Sequence, residues 1–361
     1  MKTEWKLFLQ QRGAEWLDPD APLAHFGNPA QELSLALSGD VLADLGQRGL
    51  IAVSGEDAAG FLQNLLSNDV RLVSDTLSQL TSLNTPKGRM LVLMRLFQRE
   101  GVFYLSLPRS MVEPTLKRLR MYVLRSKVSL EAANDAFVHF GLSGAHAAER
   151  LREILGAAPE TPDALWQGAG VSLLRLPCGR AGQQRFELYG ELEPMQKLWQ
   201  ALDVHAAPVG SVVWELLDTL AGLPEVYPAT LEAFVPQMAN LERIGGVSFK
   251  KGCYPGQEVV ARMHYLGKPA RRMFLLRAED AESVTPSAEV FAQHDATAVG
   301  EVVRSAPHPD GGCVLLAVLR LNALMTDQGE TQLSLAAHPD AEARAALARL
   351  ELPYALEDAA A

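Results

Sequence analysis

The order of apolar and polar positions in the first third of the chain predicts strands that alternate with amphipathic helices. An apolar run over residues 49–53 predicts a strand, and the acidic residues after it begin a helix whose buried stripe is Phe61, Leu62, Leu65 and Leu66. Further strands are predicted over 77–83, 90–97 and 102–107. Ser110 then caps a helix with an apolar face of Leu116, Leu119, Val123 and Leu124.

The same order of elements recurs in the middle of the chain. A strand over 141–144 precedes a helix over 149–155, and strands over 171–176 and 185–189 precede a helix around 195–202. We therefore predict an internal duplication, with one α+β unit over about 40–135 and a second over 136–265. Two such units packed face to face leave a cleft, which is a common position for a small-molecule site.

In the last third of the chain, one helix is followed by short apolar runs instead of alternating strands and helices. Residues 212–224 predict a helix that Gly222 and Pro224 end, and short runs over 271–277, 288–292, 299–304 and 313–319 predict a small β-barrel. The tail has two alternatives, a helix over 341–350 or an edge strand over 350–353. The predicted fold class is α+β, with an N-terminal arm over 1–33, the duplicated domain over 34–265, and the barrel with its tail over 266–361.

Composition and charge limit the classes of function that are expected of this chain. The 361 residues carry a net charge of −10, with 48% apolar and 21% charged residues, which is ordinary for a globular protein. Phosphate contacts need basic side chains, so this acidic chain is not expected to bind nucleic acid directly. The most basic stretch, Lys117 to Lys127, lies on a predicted helix, where a solvated face is favoured over a docking site for RNA or an acidic partner.

The cysteines and the first residues of the chain indicate the cellular compartment in which the protein is expected. Cys178, Cys253 and Cys313 are far apart, without a Cys-x-x-Cys pair or metal-type histidine spacing, so no permanently bound metal or cluster is expected. The first residues lack the apolar core of a signal peptide, and no stretch reaches the roughly 18 apolar residues of a membrane span. We therefore expect a cytoplasmic protein without a membrane partner.

A thiol, two lysines and two glycines occur together within nine residues, Lys250-Lys251-Gly252-Cys253-Tyr254-Pro255-Gly256-Gln257-Glu258. The proline is predicted in the first turn of a helix, so the Cys253 thiol would lie just before a helix N-terminus. The helix dipole and the two lysines there favour the thiolate form. Gly252 and Gly256 allow positive φ and a close backbone approach to a ligand. The alternative is an inert, packed thiol beside a turn.

The run from Gly245 to Glu258 resembles the signature of the YgfZ family, the folate-binding relatives of glycine-cleavage T-protein. That family also includes a mitochondrial iron–sulfur assembly factor. The resemblance extends from about Leu42 to the predicted barrel. It implies duplicated α+β units that bind tetrahydrofolate, followed by a small C-terminal β-barrel.

The resemblance also implies roles for single residues. Trp214 stands in the helix before Ala221-Gly222, where the family has a folate-contacting tryptophan, although a core position also explains it. Cys253 would be the working thiol, and Lys251 would hold its thiolate or engage an anionic part of folate. Folate contacts are expected from Tyr254, Gln257 and Glu258, with Lys250, Gly252 and Gly256 shaping the loop. Glu258 has an equally good explanation as a first-turn residue favoured by the dipole.

Three positions depart from what the resemblance implies. Arg48 stands near the place where some members have a second tryptophan. Residues 86–92 lack the acidic residue that T-protein has there, and Leu220 stands where T-protein has another acid. Transfer of an aminomethyl group needs such a carboxyl group at the reacting atom, so glycine-cleavage activity is not expected.

The function implied by the resemblance is folate-dependent support of iron–sulfur cluster assembly or repair. Its partners would be iron–sulfur proteins such as the enzymes that thiomethylate tRNA. One cysteine cannot hold a cluster alone, so partner ligands would be needed. The alternatives are a tetrahydrofolate-dependent one-carbon transferase or demethylase, and a scaffold whose folate site is vestigial.

Overall fold

The computed structural model describes residues 2–179, 183–267, 269–293, 297–326, 329–336 and 344–356. The helices are α1 (Thr3–Gln10), α2 (Pro29–Ser38), α3 (Ala58–Gln63), α4 (Val112–Arg120), α5 (Ala147–Leu155), α6 (Leu192–Leu202), α7 (Ser211–Leu220) and α8 (Gln257–Leu266). The strands of the two large sheets are β1 (Val41–Asp44), β2 (Arg48–Ser54), β3 (Gln79–Asn84), β4 (Met90–Arg99), β5 (Val102–Pro108), β6 (Ser129–Ala132), β7 (Val138–Gly144), β8 (Leu165–Gly168), β9 (Val171–Arg175), β10 (Gln184–Gly190) and β11 (Ala207–Val209). The remaining strands are β12 (Arg271–Ala278), β13 (Glu289–Ala292), β14 (Ala298–Pro307), β15 (Cys313–Arg320), β16 (Met325–Thr326), β17 (Gly329–Glu330), β18 (Leu333–Ala336) and β19 (Arg344–Leu350).

The first sheet is antiparallel and has the strand order β3-β4-β5-β2-β6. Helices α3 and α4 contribute Phe61 and Leu116 to a core that also contains Leu105 of β5. The opposite face packs on the second sheet, where the ring centroids of Phe97 and Tyr189 lie 4.7 Å apart. Strand β4 is therefore buried almost throughout, rather than alternating between buried and exposed positions.

The second sheet has the strand order β11-β1-β7-β10-β9-β8. Its core includes residues of α1, α5 and α6, with Trp5 and Trp199 in edge-to-face contact. Strand β1 precedes the first sheet in the sequence, yet it pairs with β7 and β11 of the second sheet. The indole of Trp5 donates a hydrogen bond to Asp44 at 2.8 Å, which fastens α1 to β1.

The third body is a closed barrel of six strands, in the order β12-β15-β14-β13-β18-β19. Leu276, Val302 and Leu315 are fully buried in its interior. A further core joins the barrel to both sheets through α7, and it includes Leu93, Trp214 and Leu316. Helix α7 therefore lies where the two sheets and the barrel meet.

The predicted α+β fold with a C-terminal barrel is confirmed. The strands predicted around Gly49, Met90, Val171 and Arg271 are β2, β4, β9 and β12. The division into two duplicated units over 40–135 and 136–265 stays a prediction. None of the helices in the described segments is long and apolar enough to cross a membrane.

The helix after β5 differs from its prediction at both ends. Ser110 lies in a 3₁₀ turn (Arg109–Met111), and the N-cap of α4 is Met111, so the predicted serine cap is wrong. Helix α4 ends at Arg120, before Leu124. The side chain of Leu124 is 90% exposed and its φ is 43°, so its predicted place on the apolar face is also wrong.

The tail forms neither of its predicted alternatives in full. Residues 344–350 form β19, which pairs with β12 and β18 and completes the barrel, so the helix is wrong for these residues. Residues 341–343 lie outside the described segments. The strand ends at Leu350, so the edge strand over 350–353 is wrong beyond that residue.

Candidate functional site

The signature loop, residues 245–258, packs on two turns of the first sheet. Gly256 is the N-cap of α8 and has a φ of 81°. A Cβ on Gly256 would lie 2.5 Å from the carbonyl oxygen of Thr85 and 2.6 Å from the Cα of Gly88. These are backbone atoms that cannot rotate away, so Gly256 needs both its conformation and its lack of a side chain. Pro255 precedes this N-cap, so its predicted place in the first turn is wrong.

The ammonium of Lys251 is buried and serves as an anchor for the loop. Its Nζ donates to the carbonyl oxygens of Gln63 at 2.6 Å, Leu66 at 2.5 Å and Asn68 at 3.0 Å. An ammonium has three donors, so these contacts use all of them. Burial lowers the pKa of Lys251 to about 8, although Asp69 acts in the opposite direction. Lys251 thus ties the signature loop to the segment after α3.

This geometry corrects the predicted role of Lys251. A lysine whose three protons all point at carbonyl oxygens has none left to hold the thiolate of Cys253 or an anionic part of folate. Lys250, Gly252 and Cys253 are exposed. A Cβ on Gly252 would meet no atom within 4 Å, and its φ lies outside the left-handed region, so Gly256 has the predicted positive φ and Gly252 does not. A close approach of a ligand to either glycine stays a prediction.

The three signature residues predicted to contact folate have different surroundings. Tyr254 is buried, with its ring centroid 5.1 Å from the Nζ of Lys251, and burial raises the pKa of its hydroxyl to about 12. Gln257 Nε2 lies 3.4 Å from the carbonyl oxygen of Lys251. Glu258 is exposed in the first turn of α8. Tyr254 and Gln257 support the loop, and folate contact by all three stays a prediction.

Trp214 is fully buried in the core that joins the sheets to the barrel. One side of its ring occupies the space that a Cβ on Gly141 would need, at 2.4 Å. The guanidinium of Arg185 lies 4.7 Å from the ring centroid. Because these neighbours already cover the indole, a flat ligand cannot stack on it in this structure. The structure therefore gives the core explanation for Trp214 and no support for its predicted folate contact.

A cavity of about 40 Å³ lies where both sheets, α7 and β14 meet. Its walls carry three arginines, three carboxylates and a set of apolar side chains, and no residue of the signature loop is among them. The lining residues are Arg48, Leu80, Leu93, Met94, Arg95, Leu176, Glu187, Asp218, Leu223, Pro224, Glu225 and Arg304.

Glu187 of β10 is one of the three carboxylates that line this cavity. Its Oε2 accepts a hydrogen bond from the hydroxyl of Tyr189 at 2.8 Å and lies 3.7 Å from Nε2 of His139. Burial alone would raise the pKa of Glu187, but His139, Arg48 and Arg95 together lower it below its ordinary value. Glu187 is therefore a carboxylate at neutral pH, although it is only 6% exposed.

The other charged groups of the cavity form ion pairs. Arg48 pairs with Glu225 at 2.9 Å, and Arg304 lies 3.4 Å from Asp218. Arg185, which lies behind the cavity wall, also pairs with Asp218. Buried charges need such partners because desolvation is costly, so these pairs hold the walls in fixed positions.

The prediction from sequence missed the cavity residues. Glu187 lies in the run Arg185-Phe186-Glu187-Leu188-Tyr189, where Phe186 and Leu188 face one core. On the other face, Arg185 contacts α7, while Glu187 and Tyr189 face the first sheet. A charged residue at an inward position of a strand with both faces covered was the available signal. The described residues contain no group of three or more His, Cys, Asp or Glu side chains that could hold a metal ion.

Comparison with known proteins gave close relatives but no matching family model. The chain is 30% identical over 334 residues to the tRNA-modifying protein YgfZ of Klebsiella pneumoniae (strain 342), covering 92% of this chain and 98% of that protein. It is 34% identical over 251 residues to the tRNA-modifying protein YgfZ of Yersinia pseudotuberculosis serotype IB (strain PB1/+), covering 69% and 74%.

The fold is similar to that of a solved aminomethyltransferase. The glycine cleavage system aminomethyltransferase T from Bartonella henselae superposes with a TM-score of 0.71, covering 97% of this chain and 96% of that one. The two sequences are 19% identical, so this likeness concerns the fold alone. It confirms the T-protein-like architecture predicted from the signature.

Proposed function

Because this chain belongs to the YgfZ family of tRNA-modifying proteins, we propose that it supports tRNA modification in the cytoplasm as a folate-binding protein. The observation that carries the proposal is the cavity between the two sheets of a T-protein-like fold. Small-molecule sites form at such junctions, where fixed polar groups orient the ligand.

The chemistry of the cavity walls suits the pterin end of tetrahydrofolate. A pterin has flat apolar faces and an edge of N–H donors. Glu187 offers a buried carboxylate to that edge, and Leu80, Leu93 and Met94 offer apolar contacts to the faces. When bound, tetrahydrofolate supplies a carrier for one-carbon groups. In this proposal Glu187 orients the ring and the surrounding walls exclude water.

Titration with tetrahydrofolate tests this site. A hydrogen bond to a charged group contributes about 1.5 to 3 kcal/mol, so Glu187→Gln should weaken binding by about tenfold or more. The matched control is Glu242→Gln, which removes a carboxylate of similar burial from its ion pair with Arg272, away from the cavity. Equal affinity of Glu187→Gln and wild type, or no binding by wild type, would contradict the proposal.

We further propose that Cys253 is the thiol through which the protein supports iron–sulfur cluster assembly or repair. Cys253 is exposed, while the loop that carries it is fixed by Lys251 on one side and Gly256 on the other. A partner can therefore reach the thiol in a defined position. A single thiolate supplies one ligand, so the other ligands come from the partner, such as a tRNA-thiomethylating enzyme.

Complementation in cells that lack the protein tests the thiol. We expect Cys253→Ala to keep tetrahydrofolate binding and normal protein levels but to leave tRNA thiomethylation at least about tenfold below wild type, as loss of a reacting group does. Cys178→Ala is the matched control, because it removes a partly exposed thiol outside the signature loop. Full restoration by Cys253→Ala would show that the thiol is dispensable.

The accessory role is favoured over a one-carbon transferase. A transferase needs a carboxyl group that exchanges protons at the reacting atom. In the cavity, Asp218 contacts Arg185 and Arg304, and Glu225 contacts Arg48. Glu187 has a lowered pKa and is a poor proton donor at neutral pH. The cavity therefore suits binding better than acid catalysis.

A further inference from the structure

The cavity is too small for the ligand proposed for it. Its volume is about 40 Å³, whereas pockets for ligands of drug size usually measure about 300 to 1,000 Å³. A folate can therefore bind only if part of the wall moves. The inference that follows rests on the proposed folate site, and it concerns which part of the wall moves and what holds it.

Most of the wall belongs to regular elements. Arg48, Met94 and Glu187 lie on strands β2, β4 and β10, and Asp218 lies on α7. Leu176 extends β9, since its N–H donates to the carbonyl oxygen of Arg185 at 2.9 Å. Hydrogen-bonded elements of this kind move as units and resist local displacement.

Residues 223–225, which we call the gate segment, form the irregular part of the wall. They follow α7 after Ala221 and Gly222 and come before the 3₁₀ turn Pro228–Thr230, without belonging to a helix or a strand. Gly222, just before them, has a φ of 66°. Short irregular segments next to such a glycine absorb the backbone rotations of loop closure.

The gate segment is held at both ends by hydrogen bonds. At its start, the N–H of Leu223 donates to the carbonyl oxygen of Asp218, and Arg304 donates to the carbonyl oxygen of Leu223, both at 3.1 Å. At its end, Arg48 donates to the carboxylate of Glu225 at 2.9 Å.

Arg48 is itself fixed to the first sheet. Its Nε and one terminal nitrogen donate to Oγ and the carbonyl oxygen of Ser106, each at 3.2 Å. Glu225 therefore moves when this contact opens, and Arg48 stays. The pair connects a rigid strand to the irregular wall across the cavity.

We propose that residues 223–225 are the gate of the folate cavity and that the Arg48–Glu225 ion pair keeps this gate closed. The closed form competes with the ligand, so the observed affinity is the intrinsic affinity multiplied by the open fraction. Arg48 and Glu225 thus determine how tightly and how fast the cavity takes up folate.

Stopped-flow binding of tetrahydrofolate tests the gate. In wild type the observed association rate should level off at high ligand concentration, because gate opening limits it. In Glu225→Gln we expect the dissociation constant to fall about three- to tenfold and the limiting rate to rise by a similar factor, because the open fraction increases. Glu242→Gln, which breaks the buried ion pair between Glu242 and Arg272 of β12, away from the cavity, should behave as wild type.

A double variant distinguishes an effect on the gate from a loss of stability. Glu225→Gln leaves the buried guanidinium of Arg48 without its carboxylate, which can destabilise the fold. The variant that combines Arg48→Met with Glu225→Gln removes the charge as well, and it should show the same faster uptake. Its limiting rate is the quantity compared, because Arg48 also lowers the pKa of Glu187 and its loss changes the affinity. A thermal melt of each variant shows that the protein measured is folded.

The outcomes separate the two proposals. If wild type binds and both gate variants bind with wild-type affinity and rate, the gate is overturned while the folate site stands. Weaker binding by Glu225→Gln also overturns the gate, since Glu225 would then be a ligand contact. If neither wild type nor any variant binds tetrahydrofolate, the folate site itself is overturned.

Discussion

Gly256 is the residue at which the signature loop depends most on backbone shape. We expect Gly256→Ala to lower the free energy of unfolding by about 2 to 4 kcal/mol, since it adds a clash with backbone atoms to an unfavourable φ. The clash is with Thr85 and Gly88, 2.5 to 2.6 Å from the added Cβ. Chemical denaturation of the variant and wild type measures the loss.

Gly252 provides the matched control for Gly256. It lies four positions earlier in the same loop and is exposed, and a Cβ added to it would meet no atom within 4 Å. Gly252→Ala should change the free energy of unfolding by less than about 0.5 kcal/mol. A similar loss for both alanine variants would contradict the argument from packing.

Single residues of the site were predictable in type but not in partner. The sequence marks Lys251 and Gly256 as special because of their spacing around the cysteine. Their partners, Leu66 and Thr85, lie in turns of the first sheet, and the separation between Lys251 and Leu66 is 185 residues. Only the folded chain shows that Lys251 binds carbonyl oxygens and that Trp214 lies in a core.

Helix α1 is fastened to β1 through a carboxylate that is unusually easy to protonate. Burial raises the pKa of Asp44 from 3.8 to about 6, although its bonds from Trp5 and Gly46 act in the opposite direction. A folded-state pKa above the unfolded value means that the folded protein binds more protons between these two values. Stability from Asp44 is therefore greatest at low pH and is lost as the pH rises through 6.

Asp44→Asn should remove this dependence. Between pH 4.5 and 7.5, the contribution of Asp44 to the free energy of unfolding falls by about 2 kcal/mol in wild type. In Asp44→Asn this fall is absent. Between pH 4.5 and 7.5, the free energy of unfolding of wild type should therefore decrease by about 2 kcal/mol relative to that of the variant. Denaturation of both proteins at the two pH values measures this difference. If the free energy of unfolding changes equally with pH in both proteins, the raised pKa of Asp44 is contradicted.

Elements were predicted best where their apolar runs are long. Strands β4 and β15 could be predicted from the sequence because nearly every side chain in them is buried, which gives a continuous apolar run. The end of α4 was misjudged because Val123 and Leu124 continue the helical spacing of Leu116 and Leu119, while the chain turns at Met121. Strand β19 has helix-forming alanines, and its pairing with β12 and β18 overrides that propensity.

At the scale of the whole molecule, the cavity exists only because distant segments meet. Arg48, Glu187, Asp218 and Arg304 come from four elements spread over most of the chain, and none belongs to a short motif. The signature predicted the family and the fold, while the charged cavity depends on how the two sheets, α7 and the barrel pack. Sequence reasoning therefore predicted the loop and a cleft between two units, and it missed most of the charged residues that line the cavity.

The position of β1 has a consequence for synthesis on the ribosome. Val41 pairs with Ser143 of β7 and with Ala207 of β11, so this strand has to wait for partners made much later. At about 5 to 20 residues per second, the delay until β11 is translated is roughly ten to thirty seconds. During that time the first sheet can assemble from β2 to β6, while β1 remains an open strand edge on the nascent chain. The second sheet is completed only when β11 has emerged, and the cavity only when Arg304 of β14 has joined its wall.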